Sequence, residues 1–303
     1  MILSASRRTD IPALYGDWFF ERLRAGYFLV PNPFIENGKI AKISVEPVKV
    51  ETNIMGGKTV TGNIDGIVFW TKNPRPMFAQ LNELDQYKYY FLFTLNPYDK
   101  SIERNLPPLD RRIETFRELS EKIGAERVVW RYDPILFTQE IDVKWHVRQF
   151  EDLAKQLDGY TKRCKISFLI GKHPKMFAPG FNERRGLVKN LACIAEAHGI
   201  KIETCALAEE FAEFGIIKSS CIDPELWERL LNAKRKSKQL DGQRKECLCM
   251  PSVDIGIYNT CTNGCDYCYA NGFYGYRGKP KSMTDTLIGE IYERKIEKAF
   301  NYL

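Results

Sequence analysis

The chain has 303 residues, 44% hydrophobic and 28% charged, a composition that sustains a buried core and excludes a disordered, collagenous or coiled-coil protein. Its 45 lysines and arginines against 39 aspartates and glutamates leave a formal charge of +6, which admits an anionic ligand but is no nucleic-acid signature. No apolar run reaches the ~18 residues of a membrane span, and the opening Met1-Ile-Leu-Ser-Ala-Ser-Arg-Arg lacks the apolar core of a secretion signal, so a cytoplasmic protein without membrane association is expected.

Short apolar runs rich in β-branched and aromatic residues predict eight strands, at Met1 to Ser6, Ile40 to Val45, Gly66 to Thr71, Tyr89 to Leu95, Arg127 to Tyr132, Lys165 to Ile170, Ile200 to Thr204 and Val253 to Tyr258. Runs such as Ile67-Val-Phe-Trp lack polar alternation, as strands covered on both faces do. Helical stripes separate them: Ile113, Phe116 and Ile123; Val143, Val147, Phe150, Ala154 and Leu157; Leu187, Leu191, Ile194 and His198; and last Ile288, Tyr292, Ile296 and Ala299. Asp223-Pro224 predicts a helix start and His198-Gly199 a helix end. Lys49 to Asp65 and Lys234 to Met250 carry no such pattern and are expected to be long loops. The alternation predicts one (β/α)8 barrel domain over residues 1–303, with a cysteine-rich region at 205–270.

Seven of the nine cysteines fall between Cys205 and Cys268, which in a reducing compartment reads as metal ligation before disulfides. Cys261-Thr-Asn-Gly-Cys265-Asp-Tyr-Cys268 places three thiolates on one turn-forming loop straight after the eighth strand, able to converge on one metal core. A zinc knuckle completed by Cys247 or Cys249 satisfies the same spacing.

This loop, with Tyr267 just before its last cysteine, resembles the signature of radical S-adenosylmethionine (SAM) enzymes. The resemblance implies that Cys261, Cys265 and Cys268 hold a 4Fe-4S cluster whose open iron chelates SAM, that Tyr267 frames it, and that a flavodoxin or ferredoxin supplies electrons. In that superfamily the loop follows the first barrel strand, whereas here it follows the last, so a circular permutation is implied, with Met1 to Ser6 as the superfamily's second strand. Arg7-Arg-Thr-Asp10 then stands where the superfamily carries Gly-Gly-Glu. Arg7, Thr9 and Asp10 become SAM contacts, although Asp10-Ile-Pro12 also reads as a helix cap.

The segments Ser4-Ala-Ser-Arg-Arg-Thr-Asp-Ile-Pro-Ala13, Trp130-Arg-Tyr-Asp-Pro134 and Ser252-Val-Asp-Ile-Gly-Ile-Tyr-Asn-Thr-Cys261 resemble family 1848 of domains of unknown function, across nearly the whole chain. Trp130 to Pro134 is also similar to a strand-end Arg-x-Asp-Pro of spore-photoproduct-lyase-like proteins.

In a barrel, strand C-termini face the site, which nominates Glu46, Lys72, Asn73, Asn96, Lys172, His173, Glu203 and the pair Arg131 and Asp133, read as a grip on SAM or substrate or as a structural ion pair. Cys205, Cys221, Cys247 and Cys249 supply the four thiolates of an auxiliary cluster, a structural zinc, or plain packing. Cys164 and Cys193 are expected to pack, as are Trp70, Trp130 and Tyr132. The basic run Lys234 to Lys238 with Arg244 and Lys245 is a solvated face or a phosphate contact. The reading is a radical SAM iron-sulfur enzyme of unknown substrate; the alternative is a zinc- or iron-sulfur-stabilised protein that binds nucleic acid or transfers electrons without SAM.

Overall fold

The computed structural model describes residues 1–31, 40–52, 58–170, 174–231, 239–241 and 245–271. Among these the strands are β1 (Ile2–Ala5), β2 (Tyr27–Pro31), β3 (Ile40–Ser44), β4 (Lys49–Thr52), β5 (Lys58–Thr61), β6 (Gly66–Thr71), β7 (Tyr89–Thr94), β8 (Val128–Ile135), β9 (Arg163–Phe168), β10 (Lys201–Cys205), β11 (Ile217–Ser219) and β12 (Ser252–Asp254). The α-helices are α1 (Ile11–Leu14), α2 (Gly16–Ala25), α3 (Leu109–Ile123), α4 (Val143–Leu157), α5 (Phe181–Ala197) and α6 (Pro224–Leu231). Helices thus alternate with strands that pair in parallel, the α/β arrangement the patterning predicts.

The chain forms two compact units. The first comprises Met1–Tyr89, Ser252–Gly264 and the described chain from Cys268 onward. Its parallel strands run β6, β1, β12, so the last of the described strands lies beside the first, with Leu3 paired to Ile67 on one side and Val253 on the other. The core of this unit is aromatic: Phe19 sits 5.2 Å from Phe69 and 5.4 Å from Phe28, edge-on or tilted, and all three are fully buried.

Three expectations fail in this unit, the first being the strand read over Val253 to Tyr258, which ends at Asp254. The run Ile40 to Val45 is a strand, but it pairs antiparallel with β2 in a two-stranded ribbon outside the parallel sheet. The Lys49 to Asp65 segment contains a second antiparallel pair, β4 with β5. An apolar run announces a strand without naming its partner, and Tyr27 to Pro31, close by in sequence, takes that role.

The second unit comprises Tyr90–Pro251 and Cys265–Tyr267, with parallel strands in the order β7, β8, β9, β10, β11. The strand β11 is missing from the sequence expectation because three residues, Ile217-Lys-Ser219, carry too little pattern. Helices α3, α4 and α5 follow the predicted stripes, and Asp223 caps α6 through Leu226 N at 3.3 Å. Trp130 and Tyr132 pack as expected, Trp130 stacked 4.7 Å from Phe150. Cys164 is buried, whereas Cys193 is exposed on α5 and does not pack.

The opposite face of these strands is polar. Register places Thr94 beside Arg131, Arg131 beside Lys165 and Lys165 beside Glu203, so Thr94, Arg131, Asp133, Arg163, Lys165, Ser167, Glu203 and Cys205 share one side of the sheet. The final helical stripe Ile288 to Ala299, the basic run Lys234 to Lys238 and Arg244 lie outside the described residues.

Candidate functional site

In the first unit, the loop leaving β1 and the chain leaving β12 are knotted together at one buried carboxylate. Asp254 accepts from the hydroxyls of Ser4 at 2.8 Å and Ser6 at 2.5 Å, and from the backbone N–H groups of Arg7 at 2.8 Å and Gly256 at 2.9 Å. Four donors around one carboxylate satisfy its desolvation cost. Arg8 adds contacts to the carbonyls of Asp254 and Gly256 at 3.4 and 3.3 Å, and its guanidinium lies over the Tyr258 ring. Arg7 lies over Trp70, 5.0 Å from the ring centroid, and its carbonyl accepts from the Tyr269 hydroxyl.

Asp10 makes the second knot. Its Oδ1 caps α1 through Ala13 N at 3.1 Å, while its Oδ2 accepts from Lys72 N and from Asn263 Nδ2, both at 2.8 Å. Burial pushes its carboxyl above the usual range, opposed by these bonds and one from Thr71. Asp10 is therefore both the helix cap and the anchor of the cysteine loop, and its acceptors are already taken. The Tyr15 hydroxyl reinforces the anchor by donating to Thr260 O at 2.6 Å, one residue before Cys261. The half-buried Cys261 thiol is pushed up to about 12 by burial and the Asp10 carboxylate, against backbone N–H bonds from Asn263 and Asp10 onto its sulfur. Cys268 is half-buried. Thr9 Oγ1 is buried and has no partner among the described residues.

In the second unit, Cys265 is buried and bridges to Glu103 as an isolated antiparallel pair. Tyr267 enters the apolar cluster of Tyr98, Ile102, Leu136, Ile141, Leu169 and Met176, and its hydroxyl donates to Glu103 at 2.5 Å. Glu103 is held in turn by Arg112 at 3.0 Å, both buried. Asn96 extends the chain: its Nδ2 donates to Tyr267 Oη at 3.4 Å and to Asp133 O at 3.0 Å, and its Oδ1 accepts from Asp133 N at 3.0 Å. Asp133 closes the network through an ion pair with Arg131 and a hydrogen bond from Ser167. Of the nominated residues of this unit, Tyr267, Asn96, Arg131 and Asp133 thus form one connected set. Arg131 Nε is buried without a partner among the described residues.

Glu203 belongs to a different cluster. Lys165 Nζ donates to Glu203 at 2.6 Å, Ser219 at 2.7 Å and Asp223 at 3.0 Å, matching its three N–H groups. Arg163 binds the same two carboxylates and Glu225. Neither cation stood out in the sequence, because their positions on the buried face depend on the register of β9 against β10. Glu46 is exposed, and Lys172 and His173 lie outside the described residues.

The four remaining candidate cysteines, all buried, come together in this unit. Cys205 and Cys221 have their sulfurs 3.4 Å apart, Cys221 also contacts Cys249, and Cys249 contacts Cys247. Among the described residues no three or more His, Cys, Asp or Glu side chains are already arranged around one metal position.

The chain matches, over residues 2–270, the family described as Domain of unknown function (DUF1848). It belongs to that family. No curated protein and no solved structure matches it. The match spans both knots, the Arg131–Asp133 pair and all seven candidate ligand cysteines of this DUF1848 chain. Among the described residues no helix is long and apolar enough to cross a membrane.

Proposed function

We propose that the chain is an iron-sulfur enzyme of the radical SAM type, on a closed (β/α)8 barrel circularly permuted relative to that superfamily. The observation that carries this reading is where the cysteine run lies: it follows β12, β12 pairs in parallel with β1, and Asn263 within the run is bonded to Asp10 just past β1. The donor type suits the group, since Cys261, Cys265 and Cys268 offer only soft sulfur.

Held by Cys261, Cys265 and Cys268, such a cluster would supply, with an electron from a flavodoxin or ferredoxin, the reductive cleavage of SAM and hydrogen-atom abstraction from substrate. The chain's own residues hold and orient. Asp10 and Tyr15 are positioning residues that fix both ends of the loop around Cys261. Arg7 and Thr9, on the loop after β1, are the SAM contacts in this reading, Thr9 with a hydroxyl left to donate. Arg131, fixed in orientation by Asp133 and Thr94, presents a guanidinium for a carboxylate or other anionic group of SAM or substrate. The setting is a cytoplasmic, reducing one.

Electron paramagnetic resonance tests the reading. Anaerobically reconstituted, dithionite-reduced protein is expected to show a cluster signal whose g-values move when SAM is added, and Cys265→Ala is expected to abolish it. A signal indifferent to SAM would reduce the protein to electron transfer.

A further inference from the structure

The four cysteines of the second unit stand apart from the proposed catalytic loop. Cys205 ends β10, Cys221 precedes α6, and Cys247 and Cys249 lie on the segment before β12. Three separate stretches of chain therefore deliver thiols into one run of sulfur contacts, with no three of them already arranged around one metal position. Their exposures are 8%, 6%, 8% and 3% in chain order, so all four are out of water. The sulfurs form a run of contacts from Cys205 through Cys221 and Cys249 to Cys247, and Ile222 N donates to Cys249 Sγ at 3.4 Å.

Backbone bonds hold the segments in register for this meeting: Met250 N donates to Ile222 O at 3.1 Å, and Asp241 N to Cys249 O at 2.8 Å. Arg131 and Lys165 both act electrostatically on Cys205 and Cys221, each while paired to carboxylates of its own. Arg131 Nε, buried and without a partner among the described residues, is a donor left over on that side of the sheet. The convergence is selective, since Cys164 lies on the other face of β9 and Cys193 is exposed on α5.

We propose that Cys205, Cys221, Cys247 and Cys249 form a second metal site that takes one thiophilic divalent ion, zinc, in a closed tetrahedral four-thiolate shell. Four sulfur ligands without a water position are the donor set of a structural site. The spacing favours one ion over a four-iron cube. Bonds of about 2.3 Å from a tetrahedral zinc put neighbouring sulfurs roughly 3.8 Å apart, close to the 3.4 Å between Cys205 and Cys221, whereas a cube spreads its four thiolates over the corners of a larger body. The ion would replace the protons that the thiols share, with release of up to one proton per cysteine, and draw the run of contacts around a single centre. Its role would be to tie the end of β10 to the segments flanking α6 and preceding β12.

Metal analysis of three full-length proteins tests the site: the wild type, a Cys247→Ser/Cys249→Ser variant, and a Cys261→Ser/Cys265→Ser/Cys268→Ser variant. The last is expected to keep one zinc per chain and lose any iron-sulfur colour, while the double variant loses the zinc. Iron and sulfide retained by the triple variant would replace the single ion by a cluster. Zinc retained by the double variant, or a Cys205–Cys221 disulfide in place of metal in anaerobically prepared protein, would overturn the site. Cobalt added to the triple variant gives a readout that does not depend on the double variant folding. The visible bands of tetrahedral cobalt with sulfur-to-cobalt charge transfer are expected, and their absence would refute the proposal whatever the fate of the catalytic reading.

Discussion

The hydroxyl of Tyr267 donates to the carboxylate of Glu103 at 2.5 Å, joining the aromatic position of the cysteine run to a buried ion pair with Arg112. Tyr267→Phe removes one donor from a carboxylate that keeps Arg112, and about 1–3 kcal/mol of stability is expected to go with it. Glu103→Ala strands the Arg112 charge and is expected to cost more, about 3–5 kcal/mol. Denaturant midpoints of the two variants check the order; equal or reversed losses would contradict the network.

Lys165 is the centre of the polar face in the second unit, with all three of its N–H groups on acceptors. Lys165→Met leaves Asp223 with Arg163, and Glu203 with Arg163 and the longer contact from Lys201 at 3.6 Å, and a loss of about 3–5 kcal/mol is expected. If thermal unfolding of this variant matched wild type, the cluster would be contributing nothing.

His146 couples stability to pH. Its ring is fully buried, between the Tyr132 hydroxyl at 2.7 Å and Leu136 O at 2.9 Å, and burial lowers its pKa to about 4 despite the Leu136 bond and the Asp142 charge. The folded protein therefore holds the ring neutral while the unfolded chain protonates near pH 6.5. This contribution is fully present above that pH, is lost as pH falls from about 6.5 to 4, and totals at most ~3 kcal/mol. Denaturant titrations across this range are expected to show the fall in wild type and a shallower one in His146→Gln. Identical slopes would show that the ring does not titrate there.

Gly256 is required by close approach. A Cβ at this position would fall 1.9 Å from Ser6 Oγ and 2.5 Å from Ser6 Cβ, at the Asp254 knot. Gly256→Ala is expected to cost about 1–3 kcal/mol by overpacking and to lower the iron loaded per chain, since the knot holds the loops after β1 and β12 together. Wild-type iron content and stability in this variant would argue against the knot as a support for the cysteine loop.

The legible parts of this protein are those in which neighbouring residues speak for one another. Ile67 to Trp70 announces a buried strand, Val143 to Leu157 a helix, and Asp223-Pro224 a helix start, and each is found in place. Asp10 is legible as a cap and Arg131 with Asp133 as a pair, because both relationships span three residues or fewer. The rest depends on register and closure. Asp254 meets Ser4 and Ser6 from the far end of the chain, and Lys165 meets Glu203 only because β9 and β10 align those positions. A lone aspartate in the apolar run Val253-Asp-Ile255 and a lysine and arginine alternating along β9 were the available signals for buried charge. Neither named its partner. The strand Ile40–Ser44 shows the converse, a correct local reading placed in the wrong sheet because pairing is a tertiary choice.

The central claim is SAM cleavage at the Cys261, Cys265 and Cys268 loop, and product analysis tests it most directly. Protein reconstituted with iron and sulfide under anaerobic conditions, reduced with dithionite and incubated with SAM should yield 5′-deoxyadenosine and methionine by mass spectrometry. Cys265→Ala prepared in the same way should yield none. Intact SAM over a protein that holds a complete, reducible 4Fe-4S cluster would contradict the account.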